Sequence, residues 1–216
     1  MKGSYAVFGL GGFGSRLAEE LSGNGCDVVA VDIDSDLVMT IKDSVTKALT
    51  ADVTNPDVIK ELGVKKFDGV ILCMSNHFEA QILALNFLKQ EGAGKVIVKT
   101  NNPVQKRILL RLGADEVIEP EQDVAERLAR KLSMDNIRDM FEFKGSFIAD
   151  VVVPETMGGR SIKELDLRNK FNITVLLIKK PGSGIETVWN PDIILNTGDQ
   201  LTVIGQEKAI MNVFKK

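Results

Sequence analysis

Near the amino terminus, Gly9-Leu10-Gly11-Gly12-Phe13-Gly14 has the residue types and spacing to cradle a diphosphate. A strand pattern runs directly into this G-x-G-x-x-G and a helical pattern follows. In that context Gly9 permits the tight turn and Gly11 lets the backbone approach a pyrophosphate. Gly14 allows the helix to pack closely, so that its first amides face the anion. The loop alone is a weak signal. Asp32 strengthens it, because it closes the next strand pattern, Val28-Val29-Ala30-Val31-Asp32, eighteen residues after Gly14. A carboxylate there can accept hydrogen bonds from both ribose hydroxyls and repels a 2′-phosphate, so NAD, ADP and ATP are favoured over NADP.

Residues suited to catalysis or metal binding do not assemble around this loop. His77 is the only histidine, and it reads as a helix-start residue. No Ser-His-Asp or Tyr-x-x-x-Lys arrangement marks a hydrolase or a short-chain dehydrogenase. Asp34, Asp36, Glu119, Glu121 and Asp123 have no metal-ligand spacing by themselves. Cys26 and Cys73 are isolated thiols in apolar surroundings, which reads as reduced core cysteines rather than a disulfide or a metal pair.

The elements that must position the loop follow from periodicity. Short apolar runs at residues 5–10, 28–31, 48–49, 70–73, 96–98 and 117–118 read as strands. Between them, residues 13–21, 37–41, 56–62, 79–88 and 104–112 carry apolar side chains every three or four positions and read as helices. Gly92 and Gly94 close one helix and Gly113 the next. Strict alternation predicts an α/β fold, a Rossmann-like doubly wound parallel sheet covered on both faces.

Beyond residue 118 the rhythm changes. Val124, Leu128, Leu132, Ile137 and Met140 suggest a long amphipathic helix over 123–139, or two helices joined near Ser133. Strand patterns at 147–153, 174–179, 185–189 and 200–204 then predict a small α+β domain. The expected division is a nucleotide-binding domain at 1–139 and a second domain at 140–216.

Composition narrows the partners. A net charge of -3 over 216 residues offers no broad basic field, so nucleic acid and an anionic bilayer surface are poor expectations. The longest apolar runs fall far short of the roughly 20 residues of a spanning helix. The amino terminus enters a strand pattern without the features of a signal peptide, which predicts a cytoplasmic location.

These residues resemble the RCK, or Trk/Ktr, regulatory subunits of potassium uptake systems, over nearly the whole chain. In the first half the likeness rests on residues 7–14, on Ala30-Val31-Asp32-Ile33-Asp34, on Ala51-Asp52-Val53-Thr54, and on the run from Leu112 to Glu121. In the second half it rests on the run from Gly159 to Arg168 and on Gly198-Asp199-Gln200-Leu201-Thr202-Val203-Ile204-Gly205. The resemblance implies that Gly9, Gly11 and Gly14, with Gly12 and Phe13 in the same loop, hold the phosphates of NAD, NADH, ADP or ATP. It places Asp32 and Asp34 at the ribose and Asp52 at the adenine edge. It further implies that Lys99 faces the phosphates, the alternative being a solvated strand end. Glu121 is implied to help place a cation, Mg or Ca, near the outer phosphate, the alternative being a carboxylate favoured by a helix N-terminus. The sequence departs from the family at Gly12, where ATP-binding members often carry arginine; Arg16, on the following helix, could partly substitute, and preference for a triphosphate stays open.

The expected function is therefore a cytoplasmic, nucleotide-sensing regulatory subunit without enzymatic activity that gates a potassium channel or transporter. It would sit at the inner face of the membrane through its partner and assemble through dimers into a ring. In some family members the second domain binds cyclic di-AMP between two copies; here residues 173–178 read as a buried strand. The rivals are an NAD-dependent oxidoreductase, which leaves its catalytic acid or base unassigned, and a freestanding nucleotide or cyclic-dinucleotide sensor.

Overall fold

A computed structural model of the chain describes residues 3–214. The chain forms two compact units that divide between Gln122 and Asp123.

The first unit alternates strand and helix throughout: β1 (Ser4–Phe8), α1 (Gly12–Gly23), β2 (Asp27–Asp32), α2 (Ser35–Ile41), β3 (Lys47–Thr50), α3 (Pro56–Leu62), β4 (Gly69–Leu72), α4 (Phe78–Gln90), β5 (Lys95–Lys99), α5 (Pro103–Arg111) and β6 (Glu116–Ile118). The six strands form one parallel sheet in the order β3-β2-β1-β4-β5-β6. β1 shows why the sheet must be covered on both faces. Ala6 and Phe8 point into a core that includes Ile59 of α3, Leu85 and Leu88 of α4, and Leu109 of α5. Val7 points into the opposite core, with Ala18 of α1 and Val38 and Ile41 of α2. Successive side chains of a strand leave opposite faces, so an unbroken apolar run requires helices on both sides.

Local signals set the helix ends. Asn55 and Asn102 cap α3 and α5, their side chains accepting from the amides of Asp57 and Val104, and each is followed by a proline at the first helical position. Those prolines lack only an N–H that has no partner in the helix. Of the glycines expected to close α4 and α5, Gly92 and Gly113 adopt positive φ, whereas Gly94 does not.

α6 (Pro120–Ser133) begins in the first unit and ends in the second. β7 (Ile137–Phe143) and β8 (Ser146–Val152) follow, then β9 (Arg160–Ser161), α7 (Ile162–Leu165), α8 (Leu167–Phe171), β10 (Thr174–Lys179), β11 (Ile185–Thr187), β12 (Ile194–Leu195), β13 (Gln200–Gly205) and α9 (Glu207–Phe214). The second unit is an antiparallel sheet in the order β11-β10-β13-β8-β7, with β9 and β12 forming a short separate pair. Its own core includes Met140, Val151, Ile178, Val203, Ile210 and Phe214.

Three sequence expectations change here. The helix expected over 123–139 stops at Ser133, and Ile137 and Met140 belong to β7. Both are buried because a register irregularity between Ile137 and Asp139 brings residues three apart onto one face, which periodicity reads as helical. With β7 hydrogen-bonded to β8, the boundary of the compact units moves from 139/140 to 122/123. The strand expected to reach Trp189 ends at Thr187, leaving Trp189 exposed. Helix α9 had not been anticipated.

Candidate functional site

In the sheet of the first unit, β1 pairs with β2 on one side and β4 on the other, and the helices after β1 and β4 join opposite cores. That reversal opens a crevice at the carboxyl ends of the strands. A cleft of about 1000 Å³ lies there. Its walls come from the segments after β1 to β5 and from the first turn of α6, and include Gly9, Gly11, Gly12, Phe13, Asp32, Asp34, Asp52, Lys99 and Glu121.

The glycine loop is shaped for close approach. Gly9 has a φ of 93°, and a Cβ on it would press against the backbone of Cys73 and Met74 just beyond β4. At Gly11 and Gly12 a Cβ would meet no protein atom within 4 Å, so the space above the start of α1 is left for a ligand. α1 has no side-chain cap, and the amides of its first turn are the donors a phosphate would take. Gly14 does not line the cleft. A Cβ there would collide with the carbonyl oxygen of Gly9, so its role in the structure is to let α1 lie against the loop.

Asp32 ties the loop to β2. Its Oδ2 accepts from the Leu10 amide at 2.5 Å and its Oδ1 from the Asp34 amide at 2.9 Å. One accepted bond on each oxygen leaves further lone pairs for ribose hydroxyls. Asp34 lines the cleft but also caps α2, accepting from the Asp36 amide at 2.9 Å. Asp52 takes both the hydroxyl and the amide of Thr54 on Oδ1, at 2.7 and 2.9 Å. These bonds, the hydroxyl first, hold its carboxyl below the usual range, and it stays an acceptor at neutral pH.

Lys99 is no solvated strand end: it is 5% exposed. Its Nζ donates to Glu121 Oε1 at 2.5 Å and to Ser75 Oγ at 3.1 Å, and lies 5.7 Å from the centroid of the Phe13 ring. Its backbone carbonyl accepts from Gln81 Nε2 at 2.7 Å. Glu121, in the first turn of α6, is paired as well as helix-terminal; the hydrogen bond from Lys99 holds its carboxyl below the ordinary value. Sequence reasoning missed Ser75 and Asn76, which line the cleft after β4. No motif marks them, and only the reversal of strand order points to that segment. His77 lines the cleft and makes no capping bond to α4. Cys73 also lines it, with its thiol pushed up to about 12 by burial, so it is not a nucleophile at neutral pH. Among the described residues, no group of three or more His, Cys, Asp or Glu side chains could hold a metal.

The family model of the TrkA-N domain matches residues 5–120 and that of the TrkA-C domain residues 148–216. The chain is 32% identical over 219 residues to the Ktr system potassium uptake protein C of Bacillus subtilis (strain 168), covering 100% of this chain and 98% of that protein. It is 32% identical over 214 residues to the Ktr system potassium uptake protein A of Vibrio alginolyticus, covering 98% and 96%. The GsuK channel bound to NAD is alike in fold, with a TM-score of 0.66 at 17% identity; the match covers 100% of this chain but only 40% of that one. The resemblance read from the glycine loop and the Gly159–Arg168 run is borne out: the chain is a member of the TrkA family, with a TrkA-N domain followed by a TrkA-C domain.

Proposed function

We propose that the chain is the nucleotide-sensing regulatory subunit of a potassium uptake system, in which an adenine nucleotide bound in the first unit controls a membrane-embedded channel or transporter. The observation that carries this reading is the convergence of the open glycine loop, Asp32, Asp52 and Lys99 on one cleft at the strand-order reversal. The phosphates lie on Gly9, Gly11, Gly12 and Phe13, the ribose on Asp32 and Asp34, and the adenine edge on Asp52. Lys99 faces the phosphates. NAD, NADH, ADP and ATP all carry the parts these residues fit. A divalent cation, Mg or Ca, would be held by Glu121 only together with ligand phosphates, since one carboxylate is too small a donor set.

Among the described residues, no helix is long and apolar enough to cross a membrane. Partnership with a potassium-conducting membrane protein, a cytoplasmic location at its inner face, and assembly through dimers into a ring belong to the same proposal. The two full-length Ktr relatives, both potassium uptake proteins by name, support it. The cleft is given no catalytic role. A ligand alters gating only by its difference in affinity between two states of the assembly.

Isothermal titration with ATP, ADP, NAD and NADH, with and without Mg, alongside the mass in solution, tests the reading. Micromolar binding by a multimer, with affinities that differ between ligands, is the expected result. No binding by any of the four reduces the glycine loop to a structural turn, and steady NADH oxidation with a carbonyl compound would favour an oxidoreductase instead.

A further inference from the structure

The Lys99 side chain is 7% exposed, whereas that of its partner Glu121 is 61% exposed. An ammonium so far out of water needs an anion beside it, because desolvation without one is prohibitive. The carboxylate approaches from the solvent side and can return to water at little cost. The two halves of the ion pair are therefore unequal: Lys99 must keep a partner, and Glu121 need not. Phe13, whose ring faces the ammonium, is the second residue of α1 and lies within the glycine loop. Lys99 thus stands beside the helix start that presents its amides to the cleft.

We propose that Glu121 is the charge-selectivity residue of the cleft: its carboxylate occupies on Lys99 the place a ligand phosphate would take, and an anionic ligand binds by displacing it. The inference rests on the nucleotide reading above and adds to it a competitor built into the chain. Glu121 is ionised at neutral pH as an ordinary carboxylate, and the Lys99 hydrogen bond holds its carboxyl lower still, so the competition operates under physiological conditions. Ser75 and Phe13 hold the ammonium in place while its anion is exchanged. A ligand group that reaches Lys99 meets this competition, whereas a neutral nucleoside does not. The displaced carboxylate lies in the first turn of α6, so the exchange changes the charge environment of that helix.

The test is titration of the full chain with ADP and with adenosine in EDTA, which removes any cation that could share Glu121. Glu121→Gln is expected to bind ADP about fivefold more tightly than the native chain, as suits a partly exposed pair, with adenosine affinity unchanged. In a Lys99→Met background the same Glu121→Gln change should give no gain. Unchanged or weakened ADP binding by Glu121→Gln overturns the inference and leaves the nucleotide site standing. An equal gain with and without Lys99 also overturns it, because the carboxylate would then act by repulsion alone. If the native chain binds neither ADP nor adenosine, the nucleotide reading falls and this inference with it.

Discussion

Gly12 and Gly14 stand two residues apart in one loop yet have opposite reasons to lack a side chain. At Gly14 an added methyl group runs into the Gly9 carbonyl, a backbone atom that cannot move without shifting the loop. Gly14→Ala is expected to cost about 1–3 kcal/mol or more, lowering the thermal midpoint by about 5 °C or more. At Gly12 the methyl group meets nothing, so Gly12→Ala should leave stability within about 0.5 kcal/mol and nucleotide binding in place, as suits a position where ATP-binding family members often carry arginine. Thermal unfolding and titration of the two variants separate the roles; equal destabilisation would show that the space above Gly12 is not free. Asp115 accepts from Lys89 Nζ and from the Val96 amide, both at 2.6 Å, joining the end of α4 to β5 and β6. Those bonds, Lys89 first, hold its carboxyl below the usual value of 3.8. A depressed folded value means stabilisation that is complete above the unfolded value and lost as pH falls through the folded one. Since the side chain is 43% exposed, Asp115→Asn should cost no more than about 1 kcal/mol at pH 7. The difference from the native chain in urea midpoint should narrow below about pH 4. The glycines and Asp32 were legible in the sequence because each sits at a fixed offset in a motif, whereas Asp52, Lys99 and Glu121 were reached only through the family resemblance. The pairing of Lys99 with Glu121 and Ser75 was not legible, because it joins the ends of β5 and β4 to the start of α6, and no local pattern encodes which strand ends meet.

Among the elements, α6 is unlike the other long helices. It is amphipathic, yet none of its residues is buried. Val124, Leu128 and Leu132 are 54%, 51% and 76% exposed and recur every four residues, forming an apolar stripe along one face. A stripe that the chain leaves open fits the self-association in the proposed function, since contacts of this kind mark protein interfaces. Leu128→Glu with Leu132→Glu should therefore reduce the mass in solution while leaving the thermal midpoint of the dissociated form near that of native protein at low concentration. Light scattering at several concentrations, paired with unfolding curves, decides it; an unchanged mass would place the contact on another surface. Residues 123–139 also show where periodicity fails as a guide. Apolar spacing of four through Leu132 is a true helix signal, but the continuation to Ile137 and Met140 belongs to an irregular strand whose two buried residues are three apart. The inner strands of the parallel sheet were readable because their apolar runs are buried on both faces. The two-residue β9 and β12 are too short to carry a period at all.

At the scale of the whole molecule, the two units have separate cores, and every residue that lines the nucleotide cleft belongs to the first. Binding energy from a nucleotide therefore enters the folding equilibrium of the first unit directly. Ligand at 100 times its dissociation constant stabilises the state that binds it by about 2.7 kcal/mol. For a unit of this size that raises the thermal midpoint by about 10 °C. Calorimetry of the full chain with saturating ADP should then show two transitions, one displaced upward by about that amount and the other held in place. The Asp32→Ala variant, deprived of the carboxylate that ties the loop to β2, should show no displacement of either. If ADP instead moves a single transition that contains all the unfolding enthalpy, the units fold as one cooperative body. Nucleotide occupancy would then be felt through the entire chain, a tighter coupling than two separate cores imply.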